Sequence, residues 1–445
     1  MIFALKRGFD PSYSNTSTAR LTPARLQSRV GLLLLLYILF FFPDTTLYAA
    51  ADTTIVTFVQ APMDIMNRTI TGRFAFPKSN SEYRQILMIY SLECSSHGCD
   101  PWDRVSTVGV RYPSNHPGSG EEVVTEIGRL ITPPERAGRW VLDVTDYRSL
   151  LRDSVTLSNF INTSIGGGSG FLVTILFKFV AGEHDLEAYR VENLWSGLPV
   201  YGDPGRPVEQ FLPPIGMKAD READFVRVNI TATGHGEGNS EGAATYSRKL
   251  HELSVADTTF RHYLWRDDCA DLSGTPDDEW WKRPRAGYCL GDVVFPWRLD
   301  ISRYAAPGVL YTLDYSVEPY VNECRPRPDP CPCDDCTYSI IGHSPPFYWI
   351  ESQAISYRIV DEVGDDLLMV EPGDRPGVVR ITPRLSQPSP IDIQVQELGG
   401  ELIYRRQTSS ISEQVFTLDL STTPGVYLLR VVTPQGTLRR RLDIR

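Results

Sequence analysis

Short runs in which apolar and polar residues alternate recur along this chain of 445 residues, and they favour β-strands. Examples are residues 85–91, 225–233 and 391–396. The chain has 33 prolines and 34 glycines, the residue types that form turns between short strands. Sustained helical periodicity is missing from the regions that carry these runs. We therefore predict an all-β protein.

The runs fall into three regions after an N-terminal segment. Residues 52–187 and 188–360 each predict an antiparallel sandwich, and a proline- and glycine-rich link at 197–207 opens the second. Residues 366–445 predict a third, smaller, immunoglobulin-like β-sandwich that contains no histidine and no cysteine.

Residues 1–50 have the composition of a targeting segment. Basic residues precede an apolar run at 30–42, and small residues at 48–51 offer a cleavage site. Because the run is shorter than the ~20 residues of a spanning helix, we expect a cleaved signal rather than a stable membrane span. An uncleaved anchor is the alternative, and translation can also begin downstream of Met1.

The net charge limits the kinds of partner this chain can bind, and the cysteines bear on the redox state of its compartment. A formal net charge of −11 argues against nucleic acid as a partner. Export makes disulfides the expected state of the eight cysteines. The predicted disulfide cysteines are Cys94 with Cys99, Cys269 with Cys289, and the cluster of Cys324, Cys331, Cys333 and Cys336. A four-cysteine zinc site in that cluster is the alternative, but the spacing lacks paired CxxC motifs, so we predict no metal.

Residues 94–104 form the strongest candidate site. Asp100, Trp102, Asp103 and Arg104 follow directly on the Cys94/Cys99 segment and precede a predicted strand. Acidic and aromatic side chains held at the mouth of a strand are typical of a water-activating or sugar-binding site. The alternative is a structural disulfide with solvated charges, in which Asp103 only pairs with Arg104.

Residues 53–357 resemble the peptide-N-glycosidase F family, bacterial amidases that remove N-glycans from asparagine. The matching strings are 94–104, 126–133, 142–151, 234–236 and 285–289. The resemblance implies two side-by-side antiparallel jelly rolls, no cofactor, and N-glycosylated proteins or peptides as substrates.

The resemblance also assigns roles to single residues. Asp103 takes the position of the aspartate that activates water, and Arg285 that of an arginine that contacts substrate. Tyr288 stands where the family has tryptophan, and His235 lies near the cleft between the domains. Thr245 and Asn162 occupy catalytic positions where the family has glutamate. Trp102 and Arg104 are further predicted substrate contacts. Glu237 and Glu241 are predicted contacts on other grounds, because they lie in the glycine-rich loop 234–242 and can supply a carboxyl group in place of the missing glutamates.

The C-terminal region resembles the sorting domain of the bacterial type IX secretion system. Residues 398–404 match its hairpin and residues 418–430 match its closing strands, while the family's opening motif is degenerate at 370–373. The resemblance implies type IX secretion machinery as a partner and a secreted or cell-surface location.

Three functions are compatible with these observations. The first is a secreted amidase that hydrolyses the bond between an N-glycan and the asparagine side chain. The second is a non-catalytic glycan- or glycoprotein-binding relative. The third, a copper monooxygenase of similar architecture, is disfavoured because such copper sites need clustered histidines. The histidines of this chain are scattered: His97, His116, His184, His235, His251, His262 and His343.

Overall fold

The computed structural model describes residues 51–114, 122–203, 205–236, 242–322 and 345–444. The N-terminal segment, Glu237, Glu241 and the cluster from Cys324 to Cys336 lie outside these ranges. Among the described residues, no helix combines the length and apolar character needed to cross a membrane.

Two antiparallel sheets form the first sandwich. Its first sheet has the order β1 (Thr53–Val56), β9 (Phe171–Ala181), β4 (Tyr83–Cys94) and β7 (Gly138–Asp143), with β2 (Ala61–Met63) also paired to β9. Its second sheet has the order β3 (Thr69–Ala75), β8 (Ser154–Ile161), β5 (Val105–Pro113) and β6 (Glu122–Ile131).

Strict alternation along β9 explains how this sandwich builds its core. Phe171, Val173, Ile175, Phe177 and Phe179 point inward and are at most 1% exposed, while the intervening residues face outward. A buried side chain of this size stabilises the fold by roughly 1.5–3 kcal/mol. The period of two in the sequence therefore fixes which face of the sheet is buried.

The second sandwich repeats this plan. One sheet has the order β10 (Leu186–Gly197), β17 (Phe347–Ile359), β12 (Phe225–His235) and β15 (Trp297–Asp300). The other has the order β11 (Ile215–Lys218), β16 (Leu310–Val317), β13 (Lys249–Val255) and β14 (Thr258–Leu264). Helical structure among the described residues is limited to short turns: Thr145–Tyr147, Val208–Gln210, Cys269–Asp271 and Glu279–Lys282.

The third sandwich is organised around one long strand, β19 (Val378–Gln396). Its first part pairs with β18 (Leu368–Pro372) and β21 (Phe416–Asp419), and its last part with β22 (Gly425–Thr433). Strand β20 (Leu402–Glu413) also pairs with β19, and β23 (Gly436–Ile444) pairs with β22.

The sandwiches share buried surface. Phe225 and Ile355 of the second sandwich belong to the core of the first, as do Leu398, Val426 and Leu428 of the third. A separate apolar cluster joins Val105 and Ile131 of the first sandwich to three residues of the second, Tyr288, Leu290 and Val294. This second cluster places strand ends of the first sandwich against a loop of the second. The all-β prediction is confirmed.

Candidate active site

The ring closed by Cys94 and Cys99 is the first wall of the site. The two cysteines are disulfide-bonded, as predicted. The ring is fixed from outside by the glycine-rich connection between β8 and β9: Ser95 Oγ donates to the Gly168 carbonyl over 2.6 Å, and Gly170 N donates to the Gly98 carbonyl over 3.0 Å. Gly168 has φ +89°, which a residue with a side chain rarely adopts.

Asp100 organises the turn that leaves the ring. Its carboxylate is fully buried and accepts hydrogen bonds from Trp102 N (3.0 Å), Thr163 Oγ1 (2.6 Å) and Arg104 Nε (2.7 Å). The alternative in which Asp103 pairs with Arg104 is therefore wrong, because the Arg104 guanidinium binds Asp100 and also donates to Ser164 Oγ over 2.9 Å. None of these hydrogen bonds involves the side chain of Asp103.

Asp103 is half-buried on the other side of this turn. Burial raises the pKa of its carboxyl above the usual value, and the positive charge of Arg285 opposes that rise, followed by that of Arg104. The positive charge of Arg285, in the second sandwich, therefore acts on the carboxyl of Asp103, in the first sandwich. A carboxylate with a raised pKa binds a proton more readily than an exposed one, which is the property a general base needs.

Arg285 is 1% exposed and is held by backbone carbonyls. Its Nη2 donates to the Trp280 carbonyl over 2.6 Å, and its Nη1 donates to the Arg283 carbonyl over 2.7 Å. Among the described residues it forms no ion pair with a carboxylate. The disulfide between Cys269 and Cys289, also as predicted, closes the loop that carries Arg285.

Aromatic rings surround this guanidinium. The centroids of Tyr246, Trp280 and Tyr288 lie 5.8, 5.9 and 5.9 Å from Arg285 Cζ. Burial raises the pKa of the Tyr288 hydroxyl well above its usual value, and the negative charge of Asp103 raises it further. Tyr288 therefore stays a neutral phenol beside Asp103 and Arg285.

His235 is a neutral ring in a stack. It lies between Tyr288 and Phe347, with centroid distances of 5.2 Å to each. Burial, with the charge of Arg129 as the second cause, lowers the pKa of His235 to about 3. Its Nε2 lies 2.8 Å from Thr233 Oγ1, which accepts a hydrogen bond from Arg129 Nη1 over 3.3 Å. The Thr233 hydroxyl can accept the bond from Arg129 and still donate its own proton to His235 Nε2.

Asn162 belongs to the first sandwich and Thr245 to the second. Thr245 is 7% exposed, and its Oγ1 donates to the Gly236 carbonyl over 2.9 Å. Its own carbonyl accepts from Ala286 N over 2.9 Å, which places it beside the Arg285 segment. Asn162 is exposed directly after β8, and its backbone N donates to the Val105 carbonyl over 3.0 Å. Neither supplies a carboxyl group.

The other two predicted substrate contacts that the structure describes differ in how far their side chains are exposed. Trp102 is 52% exposed at the rim, whereas Arg104 is half-buried in its pair with Asp100. Glu237 and Glu241 lie outside the described residues.

Sequence reasoning missed a buried ion pair behind the site. Arg129 Nε donates to Glu126 Oε1 over 2.9 Å, and Arg129 Nη1 donates to the Trp349 carbonyl over 2.7 Å. A bulge in the pairing of β5 with β6 lets residues three apart on β6 meet, since a regular strand would point them to opposite faces. Both residues stand in the 126–133 string, but the sequence gives no sign of the bulge.

One cluster among the described residues has metal-ligand chemistry. It consists of Asp268, Cys269 and Cys289. Both sulfur atoms are held in the disulfide, so no thiolate is available to bind an ion.

The fold places this chain among proteins built from two adjoining antiparallel jelly rolls. Residues 209–330 match the family described as peptide-N-glycosidase F, C terminal. No curated protein sequence matches the chain.

Solved structures show the same fold over a longer stretch. The structure titled PNGase F, a glycosylasparaginase from Flavobacterium meningosepticum, is 22% identical with a TM-score of 0.57, covering 69% of this chain and 96% of that one. A peptide-N(4)-(N-acetyl-β-D-glucosaminyl) asparagine amidase is 23% identical with a TM-score of 0.56 and the same coverage. PNGF-II is 13% identical with a TM-score of 0.50, covering 70% of this chain and 66% of that one. The jelly-roll prediction is confirmed.

Proposed function

We propose that this protein is an exported amidase that hydrolyses the bond between an N-glycan and the asparagine side chain of a glycoprotein or glycopeptide. The observation that carries the proposal is Asp103. It is a half-buried carboxylate whose pKa is raised by burial and lowered by the charge of the buried Arg285. Arg104 forms its ion pair with Asp100 instead. The likeness of fold to PNGase F supports the same substrate class.

Asp103 acts first as the general base. It removes a proton from a water molecule, whose oxygen attacks the carbonyl carbon of the glycosylated asparagine amide. Negative charge then develops on the carbonyl oxygen, and the positive charge of Arg285, fixed by two backbone carbonyls, stabilises it in a largely buried setting.

Asp103 then acts as the general acid. The proton that it took from water passes to the amide nitrogen as the carbon–nitrogen bond breaks. The products are an aspartate side chain and a glycosylamine, so the atoms of one water molecule are fully accounted for. The raised pKa of Asp103 lets one carboxyl serve both steps, which matters because Thr245 and Asn162 carry no carboxyl group.

The missing carboxyl groups are expected to slow the reaction. A positioned acid or base contributes about 10²- to 10⁴-fold to rate. Thr245 instead holds the turn at Gly236, and Asn162 carries an exposed side-chain amide that can donate and accept hydrogen bonds. We therefore expect an amidase that is slower than one with a complete set of acids.

Export and sorting complete the proposal. Two disulfides among the described residues suit an oxidising compartment. We propose that residues 1–50 direct export, that residues 366–445 are read by type IX secretion machinery, and that the protein is released or held at the cell surface.

The test is a mass measurement on a defined N-glycopeptide. The chain from residue 51 to 445, which keeps the third sandwich because its residues enter the first core, is incubated with the glycopeptide. We expect conversion of the linked asparagine to aspartate, loss of conversion in Asp103→Asn, and full conversion in the matched exposed variant Asp257→Asn.

A glycan-binding protein without catalysis is the second candidate. The observation that favours it is that the Thr245 hydroxyl is already bound to Gly236 and offers no acid. Retention of several glycopeptides without any conversion would replace the amidase with this function. Asp103→Asn would then bind as tightly as the parent.

A further inference from the structure

A cavity of about 450 Å³ lies beside the residues of the candidate active site, at the edge strand β7. Its volume is within the roughly 300–1,000 Å³ of ordinary small-molecule sites. Its lining includes Arg136, Arg139, Trp140, Trp281 and Asp292.

The walls of the cavity continue the walls of the candidate active site. On one side, Glu135, next to the cavity residue Arg136, donates its backbone N–H to the Asp100 carbonyl over 2.9 Å. On the other side, Trp281 follows Trp280, whose carbonyl accepts from Arg285 Nη2. The cavity and the candidate active site are therefore linked through two neighbouring backbone segments, 135–136 and 280–281.

The charge in the cavity is positive and unbalanced. Arg136 and Arg139 are both exposed, and neither forms an ion pair with a carboxylate among the described residues. Asp292 does not balance them, because Arg266 Nη2 binds it over 2.9 Å. Two unpaired arginines at one cavity stand out in a protein with a formal net charge of −11.

Two tryptophans give the cavity the faces on which sugar rings pack. Arg136 Cζ lies 5.3 Å from the ring centroid of Trp281. Trp140 is fixed by its Nε1, which donates to the Gly291 carbonyl over 2.8 Å. A Cβ at Gly138 would lie 2.2 Å from the Trp140 ring, so glycine is needed there for this ring position. A rigid aromatic ring beside a planar guanidinium can hold a sugar face and a carboxylate together.

We propose that this cavity binds an anionic saccharide, a sugar that carries a carboxylate or a sulfate. The proposal deepens the proposed function, on which it rests for the idea that the sugar is an outer residue of the bound N-glycan. Arg136 and Arg139 bind the anion, and Trp140 and Trp281 pack against the ring.

Direct binding is the first test and does not depend on catalysis. Free N-acetylneuraminic acid and neutral N-acetylglucosamine are titrated into the 51–445 chain by calorimetry. We expect heat only from the acid. The double variant Arg136→Gln/Arg139→Gln should weaken binding at least tenfold, as loss of charge-assisted hydrogen bonds predicts. The matched charge control is Arg303→Gln, at an exposed arginine away from the cavity.

Three results would overturn the subsite. They are equal binding of the neutral sugar, unchanged binding of the acid in the double variant, and an equal loss in Arg303→Gln. Circular dichroism of each variant identifies any loss that is due to unfolding.

Binding of glycopeptides tests whether the cavity takes the acidic sugar as part of a glycan. Hydrolysis of the same glycopeptides tests the amidase separately. Asp103→Asn should retain a glycopeptide with acidic termini more tightly than its neutral counterpart, and the double variant should lose this preference. Acid-specific retention without hydrolysis in the parent would keep the subsite and remove the amidase. Hydrolysis of both glycopeptides without preference, together with no binding of the free acid, would keep the amidase and rule out the subsite.

Discussion

Asp100, and not Asp103, holds the guanidinium of Arg104, with Oδ2 2.7 Å from Nε. The two aspartates stand three positions apart in one turn. Asp100 is fully buried and its oxygens accept hydrogen bonds, whereas the carboxyl of Asp103 is half-buried and its pKa responds to the charge of Arg285. Asp100 therefore shapes the turn, and Asp103 is the residue to which we assign the proposed chemistry.

Replacing Asp100 should reduce stability more than it changes local chemistry. Asp100→Asn leaves the Arg104 charge without its partner and weakens the bond with Thr163, so we expect a loss of about 2 kcal/mol or more in the free energy of unfolding. Denaturant unfolding followed by tryptophan fluorescence measures it. Asp103→Asn is the matched change and should leave stability equal or higher, because burial disfavours its charge; the opposite order would contradict the assignment.

The pH dependence of turnover should report Asp103. Its raised pKa places the acidic limb of kcat/KM above the range of an ordinary aspartate, with rate rising as the base deprotonates. Arg285→Gln removes the charge that lowers this pKa, so the limb should move to higher pH as the maximal rate falls. A pH profile of glycopeptide hydrolysis measures both, and a limb that stays in place would show that Arg285 does not act on Asp103.

Glu351 should make the protein less stable as pH rises towards neutrality. Burial, reinforced by the charge of Glu126, raises the pKa of Glu351 from 4.5 to about 7. Between these values the folded protein binds more protons than the unfolded chain, so the stabilising contribution is complete below about 4.5 and lost as pH passes about 7. Glu351→Gln mimics the protonated form and should be more stable at pH 8 by on the order of 1–3 kcal/mol.

Thermal unfolding of the parent and Glu351→Gln across this pH range makes the comparison. The gap between them should open as pH rises. A constant gap would mean that Glu351 does not titrate there.

The third sandwich should stay bound after the chain is cut ahead of it. Arg439 Nε lies 2.6 Å from Asp185 Oδ1, and Leu398, Val426 and Leu428 lie in the core of the first sandwich. A protease site inserted at residues 364–367 and cleaved should give two pieces that co-elute in size exclusion. Asp185→Asn should promote their separation, and immediate separation of the unaltered pieces would show that these contacts are too weak to hold them.

Much of the fold could be predicted because its signals are local. The alternation of β9 states directly which residues face the core, and the five- and twenty-residue spacings of Cys94–Cys99 and Cys269–Cys289 favour pairing without any knowledge of distant elements. The position of Asp103 at the mouth of β5 is also a local property.

The tertiary structure decided which charges meet. Asp100 is bonded to Thr163, which lies in the connection after β8, and the pKa of Asp103 is raised by burial while the charge of Arg285 in the second sandwich lowers it. The bulge that joins Glu126 to Arg129 likewise depends on how β6 pairs with its neighbour. Burial and electrostatic fields depend on distance in space, which the order of residues does not specify. The sequence by itself therefore determined the strands, the two observed disulfides and the turn that carries both aspartates, while packing decided which of these aspartates binds Arg104.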